Sequence, residues 1–151
     1  MDTYAQGIEA LSLIEKEAEN KATVKWSSSI IRMLKFIESK GISEVDLSSE
    51  LNQLSILLNK EYKASELRIF YSKLSKKLTK EYGFVTPKYY TIIGMTIGMA
   101  AFGLPLGFMF AFALDNMAFL GIGLPIGMPI GMAIGAVKDK KAKDEGNVIE
   151  V

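Results

Sequence analysis

Cysteine and histidine are both absent from this 151-residue chain. Without cysteine there are no disulfides, thiolate metal sites or thiol nucleophiles. Without histidine the imidazole ligand and the usual general base are gone. Catalysis would have to use carboxylate, lysine or hydroxyl groups, and the sequence clusters none of them. Asp2, Glu9, Glu15, Glu17 and Glu19 read as the solvated side of a helix. No catalytic, cofactor or metal residue is assigned, and an enzyme is not expected. Charge is missing too, but only locally. Between Tyr89 and Val137 the one acid or base is Asp115, and all 18 lysines and arginines lie outside that stretch. The net charge of +1 conceals this segregation.

The opening Met1-Asp2-Thr3-Tyr4 lacks the basic patch and apolar run of a secretory signal. The first half of the chain is therefore expected to be made in the cytoplasm and to stay there. Residues 1–85 contain no alternating strand pattern, and glycine occurs only at Gly7, Gly41 and Gly83. Tyr4, Ile8, Leu11, Ile14 (or Glu15) and Ala18 step at helical spacing. A second helix is expected from about Thr23 to Lys40, burying Val24, Ile31, Leu34 and Ile37, with Gly41 closing it. Leu47, Leu51, Leu54 and Leu58 form a third stripe, preceded by the capping candidates Ser43 and Asp46. Leu67, Tyr71 (with Phe70), Leu74, Leu78 and Tyr82 form a fourth, stopped by Gly83. Helices of this kind make a small bundle. Trp26 reads as packed core, with a partner hot spot the weaker alternative. Ser27, Ser28 and Ser29 read as a polar helix face.

Lys73, Lys76, Lys77 and Lys80 share one face of the fourth helix. They are either an ordinary solvated face or a contact for anionic headgroups, worth ~1 kcal/mol per lysine at the surface. Lys88, Lys138, Lys140 and Lys141 join them as headgroup candidates. Nucleic acid is not expected as a partner, because no broad basic field with stacking aromatics is present.

The second half is built differently. Residues 120–135 repeat one tetrapeptide: Leu-Gly-Ile-Gly, Leu-Pro-Ile-Gly, Met-Pro-Ile-Gly, Met-Ala-Ile-Gly. Residues four apart lie along one stripe of a helix. Gly123, Gly127, Gly131 and Gly135 thus form a backbone groove, flanked by a ridge of Ile122, Ile126, Ile130 and Ile134. Such grooves let helices approach to backbone contact in lipid. Gly94, Gly98, Gly103 and Gly107 are candidate packing positions in the preceding segment. Pro105, Pro125 and Pro129 are candidate kinks.

From Tyr89 to Ala113 there are 25 uncharged residues, about 37 Å of helix against a hydrocarbon thickness of ~30 Å. A second apolar stretch runs from Met117 to Val137. Leu114-Asp115-Asn116 between them is short enough to demand a tight turn, with Asp115 as the expected cap of the second helix. Thr86-Pro87 reads as the start of the first, with proline at the first helical position. Residues 93–100 and 126–133 differ at one position, and 103–107 echo 123–127; the antiparallel course should set these likenesses at different depths. Lysines flank the pair and none lies in the turn, so both termini are expected in the cytoplasm.

The stretch from Leu114 to Gly146, with its Leu-Asp-Asn-Met-Ala-Phe start, Gly-Ile-Gly-Leu-Pro-Ile-Gly core and Lys-Asp-Lys-Lys-Ala-Lys-Asp-Glu-Gly end, resembles small bacterial two-span glycine-zipper membrane proteins. The resemblance covers about Tyr90 to Gly146. It implies a hairpin in the bacterial inner membrane and carries no role; residues 1–85 depart from its pattern. The rotary ATPase ring subunit is a poor comparison, because it needs a mid-membrane carboxylate and Asp115 lies in the turn.

The fold class is therefore all-α. A cytoplasmic helical bundle (1–85) precedes a transmembrane hairpin with glycine-zipper repeats (86–137, spans about 89–113 and 117–137) and a charged cytoplasmic tail (138–151). Proton relays and coupled transport need intramembrane charge, which is lacking. An apolar pore gated by dewetting survives that test. The expected function is an oligomeric membrane protein whose bundle receives a cytoplasmic partner or signal and whose hairpins form a pore or alter permeability, as an effector or toxin would. The alternative is a passive anchor that docks a cytoplasmic protein. The expected partners are the lipid bilayer, further copies of the chain, and a cytoplasmic protein bound through residues 1–85. No cofactor is expected.

Overall fold

The computed structural model describes residues 4–59 and 63–150; Asp2, counted above with the acidic helix face, lies outside them. Every regular element among the described residues is helical. The chain divides into two units, Met1–Thr86 with Ile149–Val151, and Pro87–Val148.

The first unit holds α1 (Tyr4–Glu17), α2 (Lys21–Ser39), α3 (Ser48–Leu58) and α4 (Ala64–Tyr82). Helix α1 packs on α2 and α3, and α4 closes on the same two helices. The apolar stripes read from the sequence converge as expected: Leu11, Leu34, Ile37, Leu54, Leu67, Leu74 and Leu78 are all buried. Gly7 lets α1 settle onto its neighbours, since a Cβ there would already touch Leu34 and Leu54 at 3.4 Å. Tyr4 ties the start of α1 to the α2–α3 connection. Its hydroxyl donates to the carbonyls of Ile42 and Ser43, each at 3.2 Å, and its amide donates to the Glu44 carboxylate at 3.0 Å. Burial, reinforced by the charge of Glu44, pushes the phenol up to about 12.

Gly41 and Gly83 end α2 and α4 in the left-handed conformation, with φ of 68° and 73°, the geometry that favours glycine just past a helix. Other local expectations are corrected. Helix α2 starts at Lys21, because Asn20 accepts from the Ala22 amide at 2.9 Å. Its buried face keeps the expected Ile31, Leu34 and Ile37 and adds Ile30 and Met33, while Val24 is half-buried and Ser27 is fully buried. The serine run is therefore not a uniform polar face, and Ser27 Oγ has no hydrogen-bond partner among the described residues. Neither Ser43 nor Asp46 caps α3. Ser43 Oγ accepts from the Val45 amide inside the preceding turn, and the residue before α3 is Leu47, which has no side chain able to cap. Trp26 is half-buried with its ring 5.5 Å from that of Tyr71.

The end of the chain also departs from a simple charged tail. Ile149 is fully buried in the bundle core, and its amide donates to Val85 O at 2.9 Å. The helix before it runs on past Val137 to Asp144. Lysine and alanine propagate it, and Lys141 and Lys143 in its last turn favour the negative helix end.

Lys77 is held by α3 instead of projecting freely: Nζ donates to Glu50 Oε2 at 2.9 Å and to Asp46 O at 3.1 Å. Burial works to raise the Glu50 pKa, but hydrogen bonds from Ser49 and Lys77 outweigh it, and the carboxyl sits below its usual 4.5. The hydrogen bond to Glu50 raises Lys77 above its usual 10.5. The Glu50 contribution is thus present above pH 4.5 and is lost as pH falls through the depressed folded value. The Lys77 contribution is present below pH 10.5 and is lost as pH rises through the raised one. With both side chains about a fifth exposed, a Glu50→Gln, Lys77→Met double-mutant cycle at pH 7 should return about 0.5–1 kcal/mol. Denaturant titrations of the full chain in micelles should show that coupling vanish at acid pH.

Candidate functional site

The second unit is a helical hairpin. Its first arm comprises α5 (Tyr89–Gly98), a π-helical turn (Met99–Gly103) and α6 (Leu104–Ala113). Its second arm comprises a 3₁₀ turn (Met117–Phe119) and α7 (Leu120–Asp144). Both arms are long and apolar enough to cross a membrane.

All eight glycines singled out for packing lie along the seam between the two arms. Gly94 meets Gly131 and Gly135, Gly98 meets Gly127 and Gly131, Gly103 meets Gly123 and Leu124, and Gly107 meets Leu120. The contacts are backbone to backbone. A Cβ on Gly131 would lie 2.8 Å from Gly98 Cα, and one on Gly127 would lie 2.8 Å from Gly103 Cα. Gly121, off this stripe, faces open space. Residues 93–100 thus lie antiparallel to 126–133 at the same level of the seam, which corrects the expectation of different depths for that pair, whereas 103–107 and 123–127 are offset along it.

The glycine spacing explains the π turn. In α7 the steps are uniform, from Gly123 to Gly127, Gly131 and Gly135. In the first arm Gly98 and Gly103 are five apart, one more than the other steps. An α-helix would swing Gly103 and Gly107 off the seam by about 100°. The π turn absorbs the extra residue, with the Leu104 amide donating to Met99 O, five residues back. Pro105 follows directly, where its missing N–H costs little because the ladder is already broken. The expected kink at Pro105 is therefore a widened turn. Helix α7 continues without a break through Pro125 and Pro129.

Both ends of the seam are pinned, and neither by the expected residue. At the closed end Asp115 is left-handed (φ 47°) and ends the first arm. Asn116 accepts from the Ala118 amide at 2.9 Å and caps the second. One residue cannot take both positions in so short a turn. At the open end Pro87 is not the first helical residue: Lys88 is left-handed (φ 62°), and α5 begins after it without a local side-chain cap. The cap comes from the other arm. Asp139 receives the Tyr90 and Thr91 amides, each at 2.9 Å, and the Thr91 hydroxyl at 2.6 Å. A carboxylate there also faces the positive end of α5. Sequence reading missed Asp139 because nothing local distinguishes it within Lys-Asp-Lys-Lys.

The outward faces are apolar. The ridge of Ile122, Ile126, Ile130 and Ile134 is exposed, as are Ile92, Phe108, Met109 and Phe112. The Thr96 hydroxyl is turned back onto Ile92 O at 3.2 Å. Of the lysines considered for headgroup contact, Lys73, Lys76, Lys80, Lys88, Lys138, Lys140 and Lys141 are exposed. Lys77 is bonded to Glu50, and Lys141 pairs loosely with Glu145 at 3.8 Å.

No protein-family model matches the chain, and no curated protein or solved structure matches it significantly.

Gly131→Ala should cost about 1–3 kcal/mol of hairpin stability because backbone cannot yield as a side chain would, whereas Gly121→Ala should be near neutral. Asp139→Ala should cost about 1 kcal/mol through loss of the cap. Unfolding titrations of the full chain in mixed micelles would compare the three. Equal effects of Gly131→Ala and Gly121→Ala would contradict the seam.

Proposed function

We propose that this protein is a membrane-anchored docking module. Its hairpin is a glycine zipper closed within one chain, seated in a bacterial inner membrane with both termini cytoplasmic, and its helical bundle is held at the surface to receive a cytoplasmic protein. The observation that carries this reading is the combination of a seam that uses up both glycine stripes with an exterior left apolar. Only 17% of the residues in the most apolar stretch of each arm are buried. That is far from the burial of a core helix in a soluble protein, and lipid is the solvent that accepts such a surface. The lysines flanking the hairpin and their absence from its turn support the orientation.

The same seam favours an anchor over a pore. Assembly through the glycine grooves would require opening the hairpin, since each groove already holds the opposite arm. Contacts between closed hairpins would use isoleucine and phenylalanine faces, which offer no polar lining to conducted ions. Under this reading an Asn116→Cys label reacts only from the periplasmic side, reporters fused at residues 1 and 151 both read cytoplasmic, and strong expression leaves the membrane potential intact. Depolarisation by the full chain would overturn the anchor in favour of a pore, and termini on opposite sides would overturn the hairpin topology.

A further inference from the structure

A narrow trough of about 180 Å³ runs along one side of the hairpin seam. It follows the edge of the glycine seam at Gly94, Gly98, Gly131 and Gly135, the last three of them buried, and its walls include Ile97, Ile134 and Phe102. Tyr90 and Lys138 also line it, at the end where α5 begins and α7 nears its close. From Tyr90 to Phe102 the first arm advances about 18 Å. One leaflet of hydrocarbon is about 15 Å deep, half of ~30 Å. The second arm lines it only from Gly131 to Lys138, about 10 Å, so the trough takes the upper part of one acyl chain, with a largely apolar lining and a cation at one end.

The state of that cation is informative. Asp139, its neighbour in sequence, has both carboxylate oxygens engaged by the amides of Tyr90 and Thr91 and the Thr91 hydroxyl. Lys138 is exposed and has no ion-pair partner among the described residues. Its charge is left for an external anion at the level where headgroups lie.

We infer that this trough is a binding site for one anionic phospholipid, with the upper part of an acyl chain laid along the edge of the seam between Ile97, Phe102 and Ile134 and the phosphate on Lys138. The inference rests on the membrane setting proposed above. Chemistry selects the occupant: a second helix would bring side chains too broad for a trough of this volume, and a zwitterionic lipid would bring its own cationic group beside Lys138.

The test uses the full chain purified in a mild detergent and titrated with phosphatidylglycerol or phosphatidylcholine, with bound lipid counted by native mass spectrometry. Wild type should hold one phosphatidylglycerol in preference to phosphatidylcholine. Lys138→Glu should weaken that binding about tenfold, and Lys138→Arg should retain it. Ile97→Trp, which fills the trough without touching the charge, should also lose the lipid. Lys140→Glu, exposed but outside the trough, should not. Equal loss in Lys138→Glu and Lys140→Glu would reduce the effect to diffuse charge and overturn the site. So would unchanged binding in Ile97→Trp, or a lipid-free dimer as the purified species. Failure of the membrane reading is distinguishable: the chain would then leave membranes in alkaline carbonate without detergent, before any lipid is counted.

Discussion

Approach of two backbones with no side chain between them is the constraint on which the hairpin depends. At van der Waals range each atom pair contributes only about 0.1–0.2 kcal/mol, so the total grows with the length of continuous contact. A single Cβ at Gly127 or Gly131 would push the arms apart and forfeit contacts on both sides of it. In a bilayer, the setting proposed here, burial of apolar surface hardly favours one helix contact over lipid, and close packing becomes the main cohesive term. Irregularities elsewhere in the hairpin then make sense as means of keeping four glycine steps in line. The π turn at Met99–Gly103 is the clearest: it sacrifices ideal hydrogen bonding to return Gly103 and Gly107 to the seam. Pro105 sits where that sacrifice has already been made.

Register between antiparallel arms is otherwise weakly specified, because a repeat of period four offers the same contact after a slip of four residues. The two ends break this degeneracy. At the turn, Asp115 and Asn116 leave no slack. At the open end the Asp139 carboxylate meets the Tyr90 and Thr91 amides in the first turn of α5, 49 and 48 residues away. A slip of one repeat would move Asp139 by about 6 Å and leave α5 uncapped behind the left-handed Lys88.

How much of this was legible in the sequence depends on the range of the interaction. Stripes such as Leu67, Leu74 and Leu78, and helix stops such as Gly41 and Gly83, rest on contacts within a few residues, and the structure follows them. The eight seam glycines were legible as a packing surface because period four survives any choice of partner. Which surface they would meet was not, since a groove identical in both arms serves a second copy as well as its own hairpin. The five-residue step from Gly98 to Gly103 was a readable sign of an irregular turn that periodicity alone passes over. Asp139, Ser27 and Ile149 were opaque for one reason: each takes its role from a partner far along the chain. Ile149 did carry a faint signal, as one of three apolar residues, with Val148 and Val151, that follow a polar stretch.

That last residue links the order of synthesis to the stability of the bundle. About 85 residues bury only ~60–65% of their surface, and a core that small is sensitive to one large side chain. Ile149 fills the core beside residues from all four bundle helices and bonds to Val85, yet it is made more than sixty residues later. The bundle therefore reaches its full core only after the chain has passed through Pro87–Val148 and returned. Bringing the ends of that long excursion together carries a loop-closure cost that grows only slowly with length, and a preformed hairpin removes most of it by holding its own two ends close.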